Sequence, residues 1–225
     1  MVVNFVVFGA SGRTGRLVVA EAASRGHQVT AVARDPDSYQ APASVRVRRG
    51  DLLDPPSLAC VLDGAEVVIS AIGPDDGRAP TQVYSSGIRA ITAEMLNAGV
   101  SRIAVISAVP VTADSEKTWF ERRVLHPILW KFFGNAYRDL RIMEAELAAT
   151  RGIQAVVVRP PLLTDDEGAG VPPRMAWDER LSGVRKISRY TLARLMVDVA
   201  TAEPFRAGTL TVSEGRRRSS GPHRP

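Results

Sequence analysis

Apolar residues fall into two patterns along this chain. Short, nearly unbroken runs such as VVNFVVF at 2–8 and VVIS at 67–70 alternate with stretches such as RLVVAEAAS from residue 16, where apolar positions recur every three or four residues. The runs suit strands buried on both faces; the second pattern suits helices with one apolar side. Together they predict strands at 2–8, 28–33, 45–48, 66–72, 102–107, 154–159 and 209–213, with helices near 14–25, 55–62, 81–98, 117–132, 137–150 and 191–202. Such alternation specifies an α/β fold, a doubly wound and mostly parallel sheet with helices on both faces. Local signals sharpen several ends. Gly26 suits the position after a helix, Asp54 before Pro55 and Pro56 suits an N-cap, and Ser188 is a cap candidate for the last helix. Pro127 is expected to divide its segment into two short helices. The stretch 162–183, LLTDDEGAGVPPRMAWDERLSG, reads as a long loop or a small accessory region next to the substrate.

The first strand runs into FGASGRTGR, which spaces Gly9, Gly12 and Gly15 by three around Ser11, Arg13 and Thr14. Lacking a Cβ, such a turn lets backbone N–H groups approach a phosphate, and a helix that starts there points its positive end at the same anion. A tight strand-to-helix connection alone is the simpler alternative. The context favours the phosphate, because QVTAVAR supplies a second strand at the distance a βαβ unit requires. That strand ends in Arg34 rather than an acid. An acid there would bind a free ribose 2′-OH, whereas a guanidinium suits a 2′-phosphate, so NADP (NADPH) is expected over NAD. Arg13 would close on the same phosphate from the turn; two solvated surface arginines are the alternative.

With 225 residues, 45% hydrophobic and 24% charged, the chain has enough apolar material for one core. It is read as a single domain over 1–213, followed by a disordered basic tail at 214–225. That tail sets four arginines against one glutamate and so leaves +2 of the net +5 for the body, a balance that predicts no nucleic-acid partner. No run is long enough to span a membrane, and the start carries no basic segment of a secretory signal. A single cysteine, Cys60, fits a reducing compartment, so the cytoplasm is expected. His27, His126 and His223 stand far apart without Cys or acid at ligand spacing, and TDDEG at 164–168 reads as a solvated loop, so no metal site is expected.

VVFGASGRTGRLVVAEAASRGHQVTAVARDP, then GDLLDP, VVISAIGP, IAVISA and YRDLRIMEAELAATRGIQAVVVRPPLLTD, in that order over about residues 2–213, resemble the atypical NAD(P)H-binding branch of the short-chain dehydrogenase/reductase superfamily. This group holds NmrA-like proteins and flavin/biliverdin-IXβ reductases. The resemblance implies a Rossmann-type fold and a set of cofactor contacts. Asp51 and Leu52 would flank the adenine, and Ala71, Ile72 and Gly73 would line the adenosine ribose. Ser107 and Ala108 would lie near the nicotinamide, with Arg159, Pro160 and Pro161 on its other side.

The superfamily's usual machinery is a serine, a proton-donating tyrosine and a lysine four residues further on. Here Ser107 and Tyr137 stand at the first two places and Arg141 at the third. Arginine keeps the charge but does not change protonation at working pH. Tyr137 is therefore read either as an acid or as a ring packed at a helix start. The segment before it, about 115–135, carries Trp119, Phe120, Trp130, Phe132 and Phe133, five of the nine Trp and Phe residues of the chain. Trp119, Phe120, Trp130 and Phe133 are candidates for the wall of a pocket for a flat apolar substrate. A dimer or core-packing surface, and membrane-surface association through Arg122, Arg123 and Lys131, are the other uses of this segment. Two functions follow from the resemblance. One is an NADPH-dependent reductase of a small aromatic or conjugated substrate of flavin, quinone or ketone type, with flavin as substrate rather than bound cofactor. The other is an NmrA-like NADP(H) sensor that acts through a protein partner.

Overall fold

The computed structural model describes residues 1–74, 81–111, 126–179 and 181–215, with the side chains of 126–129 left aside. Among the described residues ten strands form: β1 (Asn4–Phe8), β2 (Gln28–Ala33), β3 (Arg46–Arg49), β4 (Val67–Ser70), β5 (Arg102–Ile106), β6 (Gln154–Arg159), β7 (Leu162–Thr164), β8 (Arg174–Trp177), β9 (Lys186–Ser188) and β10 (Gly208–Ser213). They are connected or flanked by helices α1 (Arg13–Ser24), α2 (Val83–Ala98), α3 (His126–Ala149) and α4 (Arg189–Thr201). Eight strands make one sheet in the order β3-β2-β1-β4-β5-β6-β10-β8, parallel except where β8 runs against β10. β7 and β9 pair separately.

β1 illustrates why an unbroken apolar run was needed. Phe5 and Val7 point into the layer shared with α1 and α4, while Val6 and Phe8 point into the layer shared with α2 and α3. A strand covered on both sides has no solvent face on which to place polar residues. Gly26, at φ +81, donates to the Ala23 carbonyl and ends α1 as expected. Ser188 caps α4 through the amides of Tyr190 and Thr191.

The structure departs from the sequence pattern at several places. The helix expected at 55–62 is a single 3₁₀ turn at Pro55–Leu58, and Asp54 makes no side-chain cap there. Adjacent prolines remove N–H donors, and Cys60 at φ +61 turns the chain away. The two helices expected at 117–132 and 137–150 are, within the described residues, the single α3. Pro127 occupies its first turn, where no donor is required. Gly134 costs α3 roughly 1 kcal/mol, which burial of Ala136, Leu140, Met143 and Leu147 outweighs. The segment 162–183 contains β7 and β8, strands of three and four residues, too short for a period to show. Finally Glu214, assigned to the tail, belongs to the fold: its carboxylate accepts from the amides of Ala169 (2.9 Å) and Ser188 (2.8 Å). Residues 112–125 and 216–225, including Trp119, Phe120, Arg122 and Arg123, lie outside the described residues.

Candidate functional site

The connections leave β1 and β4 in opposite directions, so a crevice opens at the carboxyl ends of these neighbouring strands. The glycine turn lies there, and its three glycines do different work. Gly9 sits at φ +72, and a Cβ on it would meet the Ala71 carbonyl oxygen at 2.6 Å. A Cβ on Gly15, in the first turn of α1, would stand 2.0 Å from the Gly9 carbonyl oxygen. Both are demanded by the protein's own packing. Gly12 is not: its φ is −71, and a Cβ there would meet only the Gly9 oxygen, at 3.2 Å. The Gly12 amide closes the turn on that oxygen (3.0 Å), and Gly12 leads into α1, whose start has no side-chain cap and no acid in its first turn. Ser11 gives its carbonyl to Arg16 (2.9 Å), and Thr14 follows in the first turn. An uncapped helix start behind a bare glycine surface fits a pyrophosphate.

On the side expected for adenine, Arg34 follows β2 directly and is exposed. Ala33 pairs with Arg49, so Arg34 and the Gly50–Asp51 segment leave adjacent strand ends together. The Asp51 carboxylate accepts from the Leu53 amide (2.9 Å), and the Asp51 amide donates to Ser57 Oγ (2.8 Å), which shapes the turn from within. Leu52 and Ile72 converge over Gly87 of α2, where a Cβ would come within 3.1 and 2.8 Å of them. Ala71 and Gly73 continue the strand exit on either side of Ile72. Arg13, expected to close on the same phosphate as Arg34, gives its guanidinium to Asp165, which Arg189 also contacts at 2.6 Å.

At the other end, Ser107 follows β5 and is buried, and Arg159 ends β6. Two backbone bonds lock these exits together: Ser107 N–H to the Val158 carbonyl (2.8 Å) and Val109 N–H to the Pro160 carbonyl (2.9 Å). Ala108 packs on the α2–α3 layer, and Pro161 leads into β7. Glu144 of α3 joins the two polar residues. It accepts from Ser107 Oγ and, through both oxygens, from Arg159 Nε (3.1 Å) and Nη2 (2.5 Å). Glu144 was not among the expected site residues: it shares a helix face with Tyr137 and Arg141 at successive spacings of four and three, but nothing local ties it to Ser107 or Arg159.

Tyr137 is half-buried, its ring 5.8 Å from Trp130 and 6.2 Å from Phe133. Burial pushes its phenol up, so it stays protonated at neutral pH. Arg141 stacks over Trp130 at 4.6 Å and donates Nε–H to the Val111 carbonyl (3.3 Å). Tyr84, in the first turn of α2, was also missed. Its hydroxyl would lie 3.7 Å from a Cβ on Gly73, and burial, then Asp139 and Tyr137, push it up to about 12. Asp139, itself buried in α3, caps α2 across the interface by accepting from the amides of Tyr84 (2.9 Å) and Ser85 (3.2 Å). Among the described residues no group of three His, Cys, Asp or Glu is placed to hold a metal, and no helix is long and apolar enough to cross a membrane.

A glycine turn at a strand-order reversal, with order 3-2-1-4-5-6 through the parallel part of the sheet, is the arrangement of a dinucleotide-binding Rossmann fold. Residues 9–203 match the family model described as NAD(P)H-binding, and the chain belongs to that family. A maize isoflavone reductase homolog is 39% identical over 81 residues, which cover 31% of this chain and only 26% of that protein. A Burkholderia pseudomallei protein described as exported has a structure similar over 94% of this chain and 99% of its own, at 28% identity and a TM-score of 0.75. A Veillonella parvula short-chain dehydrogenase/reductase in complex with NADP is similar at 17% identity, TM-score 0.74 and 95% of each chain. A Streptococcus pneumoniae protein described as an NADH-flavin reductase matches at 21% identity and TM-score 0.74, covering 95% and 100%.

Proposed function

We propose that this protein is an NADPH-dependent reductase of a small, flat aromatic or conjugated acceptor of flavin, quinone or ketone type. The observation that carries this reading is Gly12, a glycine the fold itself does not require, set at an uncapped helix start in the crevice. Backbone N–H groups of Arg13 and Thr14 would hold the pyrophosphate against the bare face of Gly12, Arg34 the 2′-phosphate, and Leu52 and Ile72 the apolar side of the adenosine. A reduced nicotinamide supplies hydride; the chain's part is to orient it and the acceptor. Ser107, Ala108, Arg159, Pro160 and Pro161 would bound the nicotinamide end, and Trp130, Phe133 and Tyr137 would offer ring surface to the acceptor. The names of the flavin reductase and isoflavone reductase relatives support the substrate class. The single cysteine, Cys60, supports a cytoplasmic site of action.

The position of Arg141 favours a second reading, a non-catalytic NADP(H) sensor. Its guanidinium is engaged by Trp130 and the Val111 carbonyl, and Tyr137 lies in an environment that raises its pKa. The two readings part on one experiment: NADPH oxidation, followed at the reduced nicotinamide absorbance, with flavins, quinones and conjugated ketones as acceptors. Turnover establishes the reductase, and in that case Tyr137→Phe is expected to be mild. Tight NADPH binding without turnover of any acceptor establishes the sensor.

A further inference from the structure

The cofactor reading gives Glu144 no task, yet this carboxylate is nearly enclosed, its side chain 13% exposed and that of Arg159 17%. Arg159 takes hold of both oxygens, Nη2 on Oε2 at 2.5 Å and Nε on Oε1 at 3.1 Å, and this pair of bonds fixes the carboxylate plane. Oε1 also receives the Ser107 hydroxyl. A carboxylate facing a guanidinium is an acceptor at both oxygens, so in the Ser107–Glu144 bond the hydroxyl is the donor. Serine has one hydroxyl proton and two lone pairs. With that proton committed to Glu144 and the Ser107 amide committed to the Val158 carbonyl at 2.8 Å, both donors of Ser107 are already used. What Ser107 offers a ligand is a lone pair.

We infer that Glu144 holds Ser107 as a hydrogen-bond acceptor, so that the site selects a ligand that presents an N–H or O–H donor at this point. Ser107 is then not a donor to a developing oxyanion. Glu144 is a positioning residue, and Arg159 holds it in place. The inference rests on the NADP(H) reading above. Two ligand groups have the required chemistry: the amino group of the nicotinamide carboxamide, and an N–H or O–H on the acceptor, such as the N3–H of a flavin.

The test uses the full chain and pairs of probes that differ by that donor. NADP⁺ and its 3-acetylpyridine analogue, in which a methyl group replaces the carboxamide amino group, are titrated calorimetrically onto the wild type, Ser107→Ala and Glu144→Ala. Riboflavin and 3-methylriboflavin are compared by fluorescence quenching on the NADP⁺-saturated protein. The wild type should prefer the donor-bearing member of one pair by a few-fold to about tenfold, the range of one neutral hydrogen bond. Preference in the nucleotide pair assigns the donor to the carboxamide; preference in the flavin pair alone assigns it to the acceptor. Ser107→Ala should erase the preference. Glu144→Ala should erase or invert it, because it removes the oxygen Oε1 that takes the serine hydroxyl and so frees the serine proton. Ser107→Ala removes a single atom and keeps the test decisive if Glu144→Ala does not fold. Absence of preference in both pairs, or a preference that survives in Ser107→Ala or is unchanged in Glu144→Ala, would overturn the inference. Failure of the wild type to bind NADP⁺ at all would overturn the cofactor reading beneath it.

Discussion

Substituting the three glycines of the turn one at a time should separate what the fold needs from what the ligand needs. In Gly15→Ala the new Cβ stands 2.0 Å from the Gly9 carbonyl oxygen and 2.8 Å from its carbon, both backbone atoms that no rotamer change can move. Overpacking of this kind costs about 3 kcal/mol, a fall in Tm of roughly 6–12 °C for a chain of this size. Gly9→Ala adds the strain of a positive φ to a 2.6 Å contact with the Ala71 oxygen and should be at least as damaging. Gly12→Ala meets a single atom at 3.2 Å with φ already in ordinary space. Its cost is mainly the loss of glycine's modest advantage at an N-cap, about 0.5–1 kcal/mol, or a few degrees of Tm. Binding should behave in the opposite way. A side chain at residue 12 displaces the phosphate from amides whose bonds to a charged group are worth about 1.5–3 kcal/mol each, so Gly12→Ala should weaken NADPH by about tenfold or more and Gly12→Val should abolish binding. Thermal unfolding followed by circular dichroism, with NADPH fluorescence titration of each folded variant, measures both quantities. A folded Gly12→Val protein with wild-type affinity, or a Gly15→Ala protein as stable as the parent, would refute the division of labour argued from these distances.

Arg34→Asp should weaken NADPH by about ten- to hundredfold while changing NADH little, since the 2′-phosphate assigned to this guanidinium is absent from NADH; equal losses in paired titrations would contradict the assignment. Asp139→Ala should leave the Tyr84 and Ser85 amides unpaired at the buried start of α2, at a cost of about 1–3 kcal/mol measurable by urea unfolding, with Asp139→Asn milder. Stability should also fall at alkaline pH. Tyr84 rises from an ordinary 10.0 to about 12 in the folded state, so its contribution is complete below pH 10 and is lost as pH climbs from there to about 12. The size is of order 3 kcal/mol, and Tyr84→Phe should flatten the profile between pH 9 and 11.5.

Hydrophobic patterning alone was enough for the α/β class, for β1, β2, β4, β5 and β6, and for α1, α2 and α4. A strand buried on both faces and a helix with one apolar side each leave a mark on consecutive residues, and these elements are long enough to carry it. β7, β8 and β9 span three or four residues each and take their shape from partners distant in sequence, as in the pairing of Thr211 with Ala176. Continuity of α3 through Gly134 was likewise invisible locally, because burial of Leu140 and Met143 against α2 offsets a poor helix former. The glycine turn could be read as a phosphate turn, but not which glycine serves the ligand, since that depends on how close Gly9, Ala71 and Gly15 come in space. Arg13 has a charge that suits a phosphate, and only the folded chain brings Asp165, 152 residues away, to its side chain. Ser107 and Arg159 were recognisable at the ends of their strands; the carboxylate between them was not. Glu144 reaches them across the α3–sheet interface, over 37 and 15 residues of sequence, and a hydrogen bond formed over such separations is set by packing, which local periodicity does not encode.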